Sequence, residues 1–186
     1  MTFMCVQTAG PVSVLTEVQD KVLCIGDGEF PISKYFNKRG GTERGGVAKV
    51  WVSSGFERVF GGKTERRVAS CAVHVRQLLD TTPFSELCEQ LNAAPHGLAI
   101  NLCHVYRYMR YVYQQRRVPR PFSCFVHDTS TGNVWPLDVS WDRYRWCMTI
   151  DEMFWTGRQW QVIMDGITRS EEETGWYRDR VFLYHE

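Results

Sequence analysis

Residues 122–150, FSCFVHDTSTGNVWPLDVSWDRYRWCMTI, decide the fold class of this chain. Two segments rich in Val and aromatic residues, FSCFVH and VWPLDVSW, flank the turn-forming residues DTSTGN, and this order predicts a β-hairpin. The residues after the hairpin alternate with the two-residue period of a half-buried strand. The stretch therefore predicts antiparallel β-structure. The last strand carries Tyr144, Trp146, Met148 and Ile150 on one face and Arg145, Cys147, Thr149 and Asp151 on the other.

Strands are also predicted on both sides of this stretch. Weak alternation over residues 11–25 predicts one or two short strands, and residues 47–60, interrupted by Ser-Ser-Gly, are interpreted as a β-hairpin. A turn at residues 155–157 leads into the strand RQWQVIMD, residues 158–165. The segment RVFLYH, residues 180–185, predicts the last strand.

The middle of the chain has helical spacing. A helix ending near Asp80 is predicted behind a Thr64 N-cap, and a second helix is predicted from Thr82-Pro83 to about Leu91. A third covers about 98–115 and ends before Pro119, with Arg107 and Arg110 outward. The apolar face of the first helix comprises Val68, Cys71, Ala72, Val75, Leu78 and Leu79, and that of the third Leu98, Leu102, Val105, Tyr106, Met109 and Tyr113.

Together these elements predict an α+β fold, a mostly antiparallel sheet packed with two or three helices. The segment NKRGGTERGG, residues 37–46, is the clearest flexible stretch. We therefore expect a mobile or partly extended N-terminal arm over residues 1–46 and a globular core over residues 47–186.

Composition is that of a single globular domain with many aromatic residues. The 186 residues are 44% hydrophobic and 23% charged, and 7 Trp, 8 Tyr and 10 Phe supply a core and suit interfaces. The 7 Cys are an odd number, which does not suggest a disulfide framework. No signal peptide or apolar run of about 18 residues is seen, so a cytosolic or nuclear protein that is not secreted is expected.

The charge is nearly balanced but segregated along the chain. The formal net charge is +1, yet residues 34–67 are strongly basic and residues 90–127 contain five arginines and no acid. Such a chain can pair head-to-tail with itself, present a basic face to phosphate groups, or bring its basic and acidic parts together within one fold. The candidate binding residues are Lys34, Lys38, Arg39, Arg44 and Lys49 in the first segment and Arg107, Arg110, Arg116, Arg117 and Arg120 in the second.

The run CHVYRYMRYVYQQRRVPR, residues 103–120, is the best functional candidate by its chemistry. Interleaved Arg and Tyr can hold phosphates and stack on bases or contact lipid headgroups. The alternative is that Tyr106, Met109 and Tyr113 belong to the core and that arginine stems cover it. This run supports a second hypothesis, a soluble RNA-binding protein of the silencing-suppressor type.

Catalytic, metal and cofactor residues are not assigned. Cys71/His74 would be neighbours on a helix and could share a metal ion, whereas Cys124/His127 on a strand point to opposite faces. No glycine-rich phosphate-binding motif is present in the sequence. A Cys/His protease remains an alternative, because its catalytic residues can lie far apart in sequence.

Residues 138–165, DVSWDRYRWCMTIDEMFWTGRQWQVIMD, resemble the corresponding run of rhabdovirus matrix proteins, in particular the lyssavirus branch. There too, a Trp-Asp step leads into an alternating strand, and a Gly-Arg-x-Trp turn leads into an apolar strand. The upstream strand KVWVSSGFERVF, followed by an amphipathic helix, is also similar to the opening of that family's core. The matching residues are Trp141 and Asp142 in the first element and Gly157, Arg158 and Trp160 in the second.

The resemblance implies the matrix α+β core and a structural role without catalysis. It implies self-association, condensation of the viral nucleoprotein, and bridging of the nucleoprotein to the envelope, beneath which the protein would lie in the virion. The two basic segments would then face anionic lipid or nucleoprotein, in the virion and in the host cytoplasm or nucleus. The Pro-Pro-x-Tyr motif of animal members is absent from this sequence, and the basic charge lies at 34–49, which fits a plant-infecting or otherwise distant member.

Overall fold

The predicted hairpin and the strand after it form the centre of the sheet in a computed structural model of this chain. The structure describes residues 15–24, 28–36, 49–66, 70–115, 118–151, 153–162, 175–176 and 180–185. The strands are β1 (Leu15–Cys24), β2 (Glu29–Pro31), β3 (Lys49–Val52), β4 (Thr64–Arg66), β5 (Ser70–Leu78), β6 (Thr82–Pro83), β7 (Phe122–His127), β8 (Val134–Asp142), β9 (Arg145–Ile150), β10 (Met153–Trp155), β11 (Trp160–Val162), β12 (Gly175–Trp176) and β13 (Val181–His185). The helices are α1 (Ile32–Tyr35), α2 (Ser54–Phe60), α3 (Phe84–Gln90), α4 (Pro95–Leu98) and α5 (Leu102–Gln114).

Nine of these strands form one mixed sheet. Its main order is β1-β5-β13-β7-β8-β10-β11, and β9 pairs with β8 and carries β3 on its other side. All pairs are antiparallel except β13 with β7 and β3 with β9. Two small two-stranded sheets, β2 with β4 and β6 with β12, complete the described pairing. The fold is α+β with an antiparallel-rich sheet, as predicted.

Helices cover both faces of the sheet, and successive residues of the central strands β7 and β13 enter different cores. On one face, Val75, Leu137 and Trp146 pack with α1, α2 and α5. On the other face, Phe125 and Phe182 pack with α3 and α4. In the part of the chain that the structure describes, no helix is both long and apolar enough to cross a bilayer.

The predicted helix behind Thr64 is wrong. Residues 64–66 and 70–78 are strands, and β5 is paired on both sides, with β1 and with β13. Val73 and Val75 enter one core and Leu78 the other, so tertiary pairing overrides a spacing that also suits a helix.

The predicted β-hairpin over residues 47–60 is also wrong beyond its first strand. Ser53 follows β3 and caps α2: its hydroxyl oxygen accepts a hydrogen bond from the backbone N–H of Phe56 at 3.1 Å. Phe56 and Phe60, four residues apart, are both buried on the core side of α2.

The other two helices are present with altered starts. Thr82 and Pro83 pair with β12, so α3 begins at Phe84. The third helix begins at Leu102 and not at residue 98, because Ile100 forms a bridge to Val126 of β7, and Pro95–Leu98 form the separate helix α4. Tyr113, predicted to point inward, is 42% exposed.

Two stretches of the predicted arm belong to the folded part of the chain. Strand β1 pairs along its length with β5. Phe30, Ile32 and Phe36 are buried in the core beside α5. Residues 37–46, predicted to be flexible, lie outside the described residues, and an arm there stays a prediction.

Candidate anionic-surface site

Helix α5 crosses one face of the sheet and positions the candidate site. Its apolar residues Leu102, Val105 and Met109 are fully buried, and Tyr108 packs edge-on against Phe122 with ring centroids 5.0 Å apart. The same spacing places Arg107 and Tyr111 on the opposite side of the helix. The helix therefore starts inside the fold and presents a basic and aromatic side to the outside.

A buried carboxylate caps the start of α5. The backbone N–H of Leu102 donates a hydrogen bond to Oε1 of Glu65, and that of Cys103 donates one to Oε2, both at 3.0 Å. Glu65 is 2% exposed. Burial raises the pKa of Glu65 to about 7, the two backbone hydrogen bonds oppose this rise, and the charge of Asp128 adds to it. Asp128 is itself paired with Lys63 at 2.7 Å. The hydrogen bonds of the Glu65 carboxyl group thus connect strand β4 to the start of α5.

The far end of α5 is exposed and aromatic. Arg107, Tyr111 and Tyr113 are exposed and Arg110 is half-buried. The ring of Tyr113 lies 5.8 Å from the ring of Trp141 on β8, centroid to centroid. This contact joins the Arg/Tyr segment of α5 to a second one, Trp141–Arg145, that is distant in sequence.

That second segment is the turn between β8 and β9. Arg143 has a φ of 42°, a left-handed conformation that is uncommon outside glycine. Tyr144 is 82% exposed, and its backbone N–H donates to the carbonyl of Asp142. Asp142 and Arg145 form an exposed ion pair of 3.6 Å, a type that contributes little to stability.

Strand register brings two further cations to the same end of the sheet. Lys49 starts β3 and lies opposite Arg145 in the parallel β3–β9 pair. Arg120 lies just before β7, whose first residue pairs with Val139 near the end of β8. We call this set the basic–aromatic surface: Lys49, Arg107, Arg110, Tyr111, Tyr113, Val118, Arg120, Trp141, Arg143, Tyr144 and Arg145.

Four of the eleven residues of this surface were predicted as binding residues. Lys49, Arg107, Arg110 and Arg120 belong to it, whereas Lys34 lies on α1 with its Nζ 5.7 Å from the ring of Tyr35. The other predicted cations lie outside the described residues: Lys38, Arg39, Arg44, Arg116 and Arg117. The turn residues Arg143, Tyr144 and Arg145 were not predicted as binding residues. The letters WDRYRW, which interleave arginine and aromatic residues as YRYMRY does, are the signal that could have found them.

The residues that carry the family resemblance divide into two groups. Trp141 contacts Tyr113 and also Trp146, at 5.1 Å between centroids, and Asp142 is exposed beside it. Gly157, with a φ of 96°, forms the turn into β11, and Arg158 next to it is exposed. Trp160 packs on Phe84, a core residue of the opposite face. Gly157 and Trp160 therefore have clear structural roles, and Trp141 borders the basic–aromatic surface.

Cys88 and Cys124 do not have the environment of activated thiols. Burial raises the pKa of Cys88 to about 12 and places that of Cys124 well above its usual value, so both are neutral near pH 7. The Sγ atom of Cys103 lies 4.0 Å from Nδ1 of His104, and both side chains are buried. Burial, helped by His185, lowers the pKa of His104 to about 4.

The expectation that Cys71 and His74 could share a metal ion assumed that both lie on a helix, but they lie on strand β5. Across the described ranges, no group of three or more His, Cys, Asp or Glu side chains is arranged to hold a metal ion.

No protein-family model matches this chain, and neither a curated protein nor a solved structure matches it. A functional assignment therefore depends on the geometry of the basic–aromatic surface and on the resemblance of residues 138–165.

Proposed function

We propose that this protein is a viral matrix-type structural protein without catalytic activity. In this proposal it self-associates, condenses the nucleoprotein and bridges it to the membrane during virion assembly, beneath the envelope and in the host cytoplasm or nucleus. The basic–aromatic surface faces the anionic partner. The observation that carries the proposal is the contact between Tyr113 and Trp141, which brings the end of α5 beside the β8–β9 turn.

The chemistry of this surface suits the headgroup layer of an anionic membrane. Each Lys or Arg close to such a membrane contributes about 1 kcal/mol of attraction, and Tyr and Trp side chains favour the interface. Around the β8–β9 turn, the described residues include four cations, Lys49, Arg120, Arg143 and Arg145, against the single exposed carboxylate of Asp142. We therefore expect electrostatic binding that weakens as salt screens it.

Co-sedimentation with vesicles tests this proposal. Wild-type protein should pellet with vesicles that contain phosphatidylserine, much less with phosphatidylcholine alone, and progressively less as salt rises. The double variant Arg143→Gln/Arg145→Gln, which removes two cations, should bind about thirtyfold more weakly. Its matched control is Arg58→Gln/Arg66→Gln, which removes the same charge from exposed positions on α2 and β4 and should bind like wild type. No pelleting with either vesicle type, or equal pelleting with both, would contradict the proposal.

Self-association is tested separately by sedimentation velocity at low and high salt. The proposal expects oligomers at low salt that dissociate as salt rises, because opposite charges are segregated along the chain. A monomer at every concentration and salt would contradict this part of it.

RNA binding is a second candidate function, favoured by the exposed ring of Tyr111, which neighbours Arg107 on the surface of α5. Tyrosine rings stack on bases and arginines hold phosphates. Titration with a single-stranded RNA oligonucleotide tests it. Affinity that falls steeply with salt and is lost in Arg107→Gln/Arg110→Gln would support it, and affinity unchanged by these substitutions would exclude this surface as the RNA site.

A further inference from the structure

Two apolar side chains are far more exposed than any other large hydrophobic residue described. Tyr144 is 82% exposed and Val118 is 83% exposed, while Leu79 follows at 49%. Single exposed hydrophobic residues are ordinary on a soluble domain. These two lie at the same end of the sheet: Tyr144 connects β8 to β9, and Val118 precedes β7, which pairs with β8.

The backbone holds Tyr144 away from the body of the protein. Along β9, Trp146 and Met148 turn into the core, and the same alternation predicts Tyr144 on that buried face. The tight turn prevents this, because Arg143 adopts a left-handed conformation and the Tyr144 N–H is bonded back to Asp142. The ring therefore protrudes beyond the last paired residues, Asp142 and Arg145.

Cations surround the protruding residues. Arg143 and Arg145 flank Tyr144 in sequence, Lys49 lies opposite Arg145, and Arg120 is two residues from Val118. An apolar side chain at the tip of a turn, ringed by arginine and lysine, matches a bilayer surface with anionic headgroups above acyl chains. Val118 favours lipid over nucleic acid as the partner, because an aliphatic side chain has no ring on which a base can stack.

We propose that Tyr144 and Val118 insert into the interfacial layer of an anionic phospholipid bilayer, so that the protein meets the membrane with this end of the sheet. The proposal rests on the membrane-binding function proposed above and specifies its contact residues. Arg143, Arg145, Lys49 and Arg120 then contact the headgroup phosphates, and the apolar side chains add binding that salt does not screen.

Vesicle binding by point variants tests the insertion. With phosphatidylserine-containing vesicles, Tyr144→Ala should bind about three- to tenfold more weakly, and its salt dependence should stay that of wild type. Tyr144→Trp should bind at least as tightly as wild type, since tryptophan also favours the interface. Val118→Ala should weaken binding to a smaller extent, because valine has less apolar area to lose.

The control is Leu79→Ala, which shortens an exposed apolar side chain at the end of β5, separated from β8 by β13 and β7. It should bind like wild type. All of these positions are exposed, so thermal unfolding should be unchanged and folding does not obscure the result.

The outcomes separate this inference from the proposed function. If wild-type protein does not bind anionic vesicles, the membrane function fails and the insertion fails with it. If wild type binds and Arg143→Gln/Arg145→Gln weakens binding while Tyr144→Ala does not, only the insertion is overturned. Equal loss in Tyr144→Ala and Leu79→Ala would also overturn it.

Discussion

The two ends of α5 differ in almost every physical respect. At its start, Glu65 is buried, accepts two backbone hydrogen bonds and has a pKa raised to about 7. Beyond its last turn, Arg143 and Tyr144 are exposed, and Arg143 adopts a left-handed backbone conformation. The two ends of the helix should therefore differ in what a substitution changes. Substitutions at the start should change the free energy of unfolding, and substitutions near the far end should change the affinity for anionic membranes.

The largest expected effect is on stability, from Glu65→Ala. It leaves the buried N–H groups of Leu102 and Cys103 without acceptors and opens a cavity, so we expect a loss of about 2–4 kcal/mol in the free energy of unfolding. Urea unfolding followed by circular dichroism measures it. Arg143→Gln/Arg145→Gln, the matched change at the far end, should stay within about 0.5 kcal/mol of wild type. Equal stability of the Glu65→Ala and wild-type proteins would contradict the role given to this cap.

The next effect is on the pH dependence of stability. The folded-state pKa of Glu65 lies above its ordinary value of 4.5, so the folded state binds more protons between pH 4.5 and about 7, and this group adds stability as pH falls through that window. The gain amounts to about 3 kcal/mol. Glu65→Gln should remove it, which urea unfolding at several pH values measures. A pH profile identical to that of wild type would contradict the raised pKa.

His104 acts in the opposite direction. Its folded-state pKa is lowered from 6.5 to about 4, so the unfolded state binds more protons and stability is lost as pH falls from 6.5 to about 4. The pKa of His127 is also lowered by burial. His104→Gln should therefore be less destabilised by acid than wild type, relative to its own stability at pH 7. In the same urea series, a steeper loss in acid would contradict this assignment.

A smaller effect is expected where the two regions of the binding surface meet. Trp141→Ala removes the ring that contacts both Tyr113 and Trp146, and we expect a loss of about 1–2 kcal/mol in stability because Trp141 is only half-buried. The variant should also bind anionic vesicles more weakly while folded. Tyr113→Phe, which keeps the ring, is the control. If Trp141→Ala binds vesicles as tightly as this control, Trp141 does not hold the two regions of the binding surface together.

The smallest stability effect is expected from Asp142→Asn. The Asp142–Arg145 pair is exposed, so its loss should change the free energy of unfolding by less than about 0.5 kcal/mol. Removing the one carboxylate among four cations should nevertheless raise the affinity for phosphatidylserine vesicles by about fivefold. Unchanged or weaker binding would show that this turn does not face the membrane.

The sequence predicted those parts of the fold that depend on local pattern. The β7–β8 hairpin follows from turn residues between two apolar strands, and α5 follows from an apolar stripe without internal Gly or Pro. Strand β5 was mistaken for a helix because its pairing with β1 and β13, distant in sequence, decides its conformation. Ser-Ser-Gly at 53–55 suits a hairpin turn as well as the helix cap that it forms.

The candidate site was predicted only in part for the same reason. Arg107 and Arg110 are recognisable from their interleaving with tyrosines. The parallel pairing of β3 with β9, which places Lys49 opposite Arg145, leaves no local signal in the sequence. The hydrogen bonds from the first N–H groups of α5 to Glu65 leave no local signal either, because Glu65 is distant from α5 in sequence.

Hydrogen exchange of the full chain, with and without phosphatidylserine vesicles, tests most directly whether the far end of α5 and its neighbouring turn form the membrane surface. Vesicles should slow exchange in residues 141–146 and 107–113, leave exchange around Glu65 and residues 102–104 unchanged, and lose their effect at high salt. Protection confined to other parts of the chain, or no protection in vesicle-bound protein, would contradict the assignment of the basic–aromatic surface.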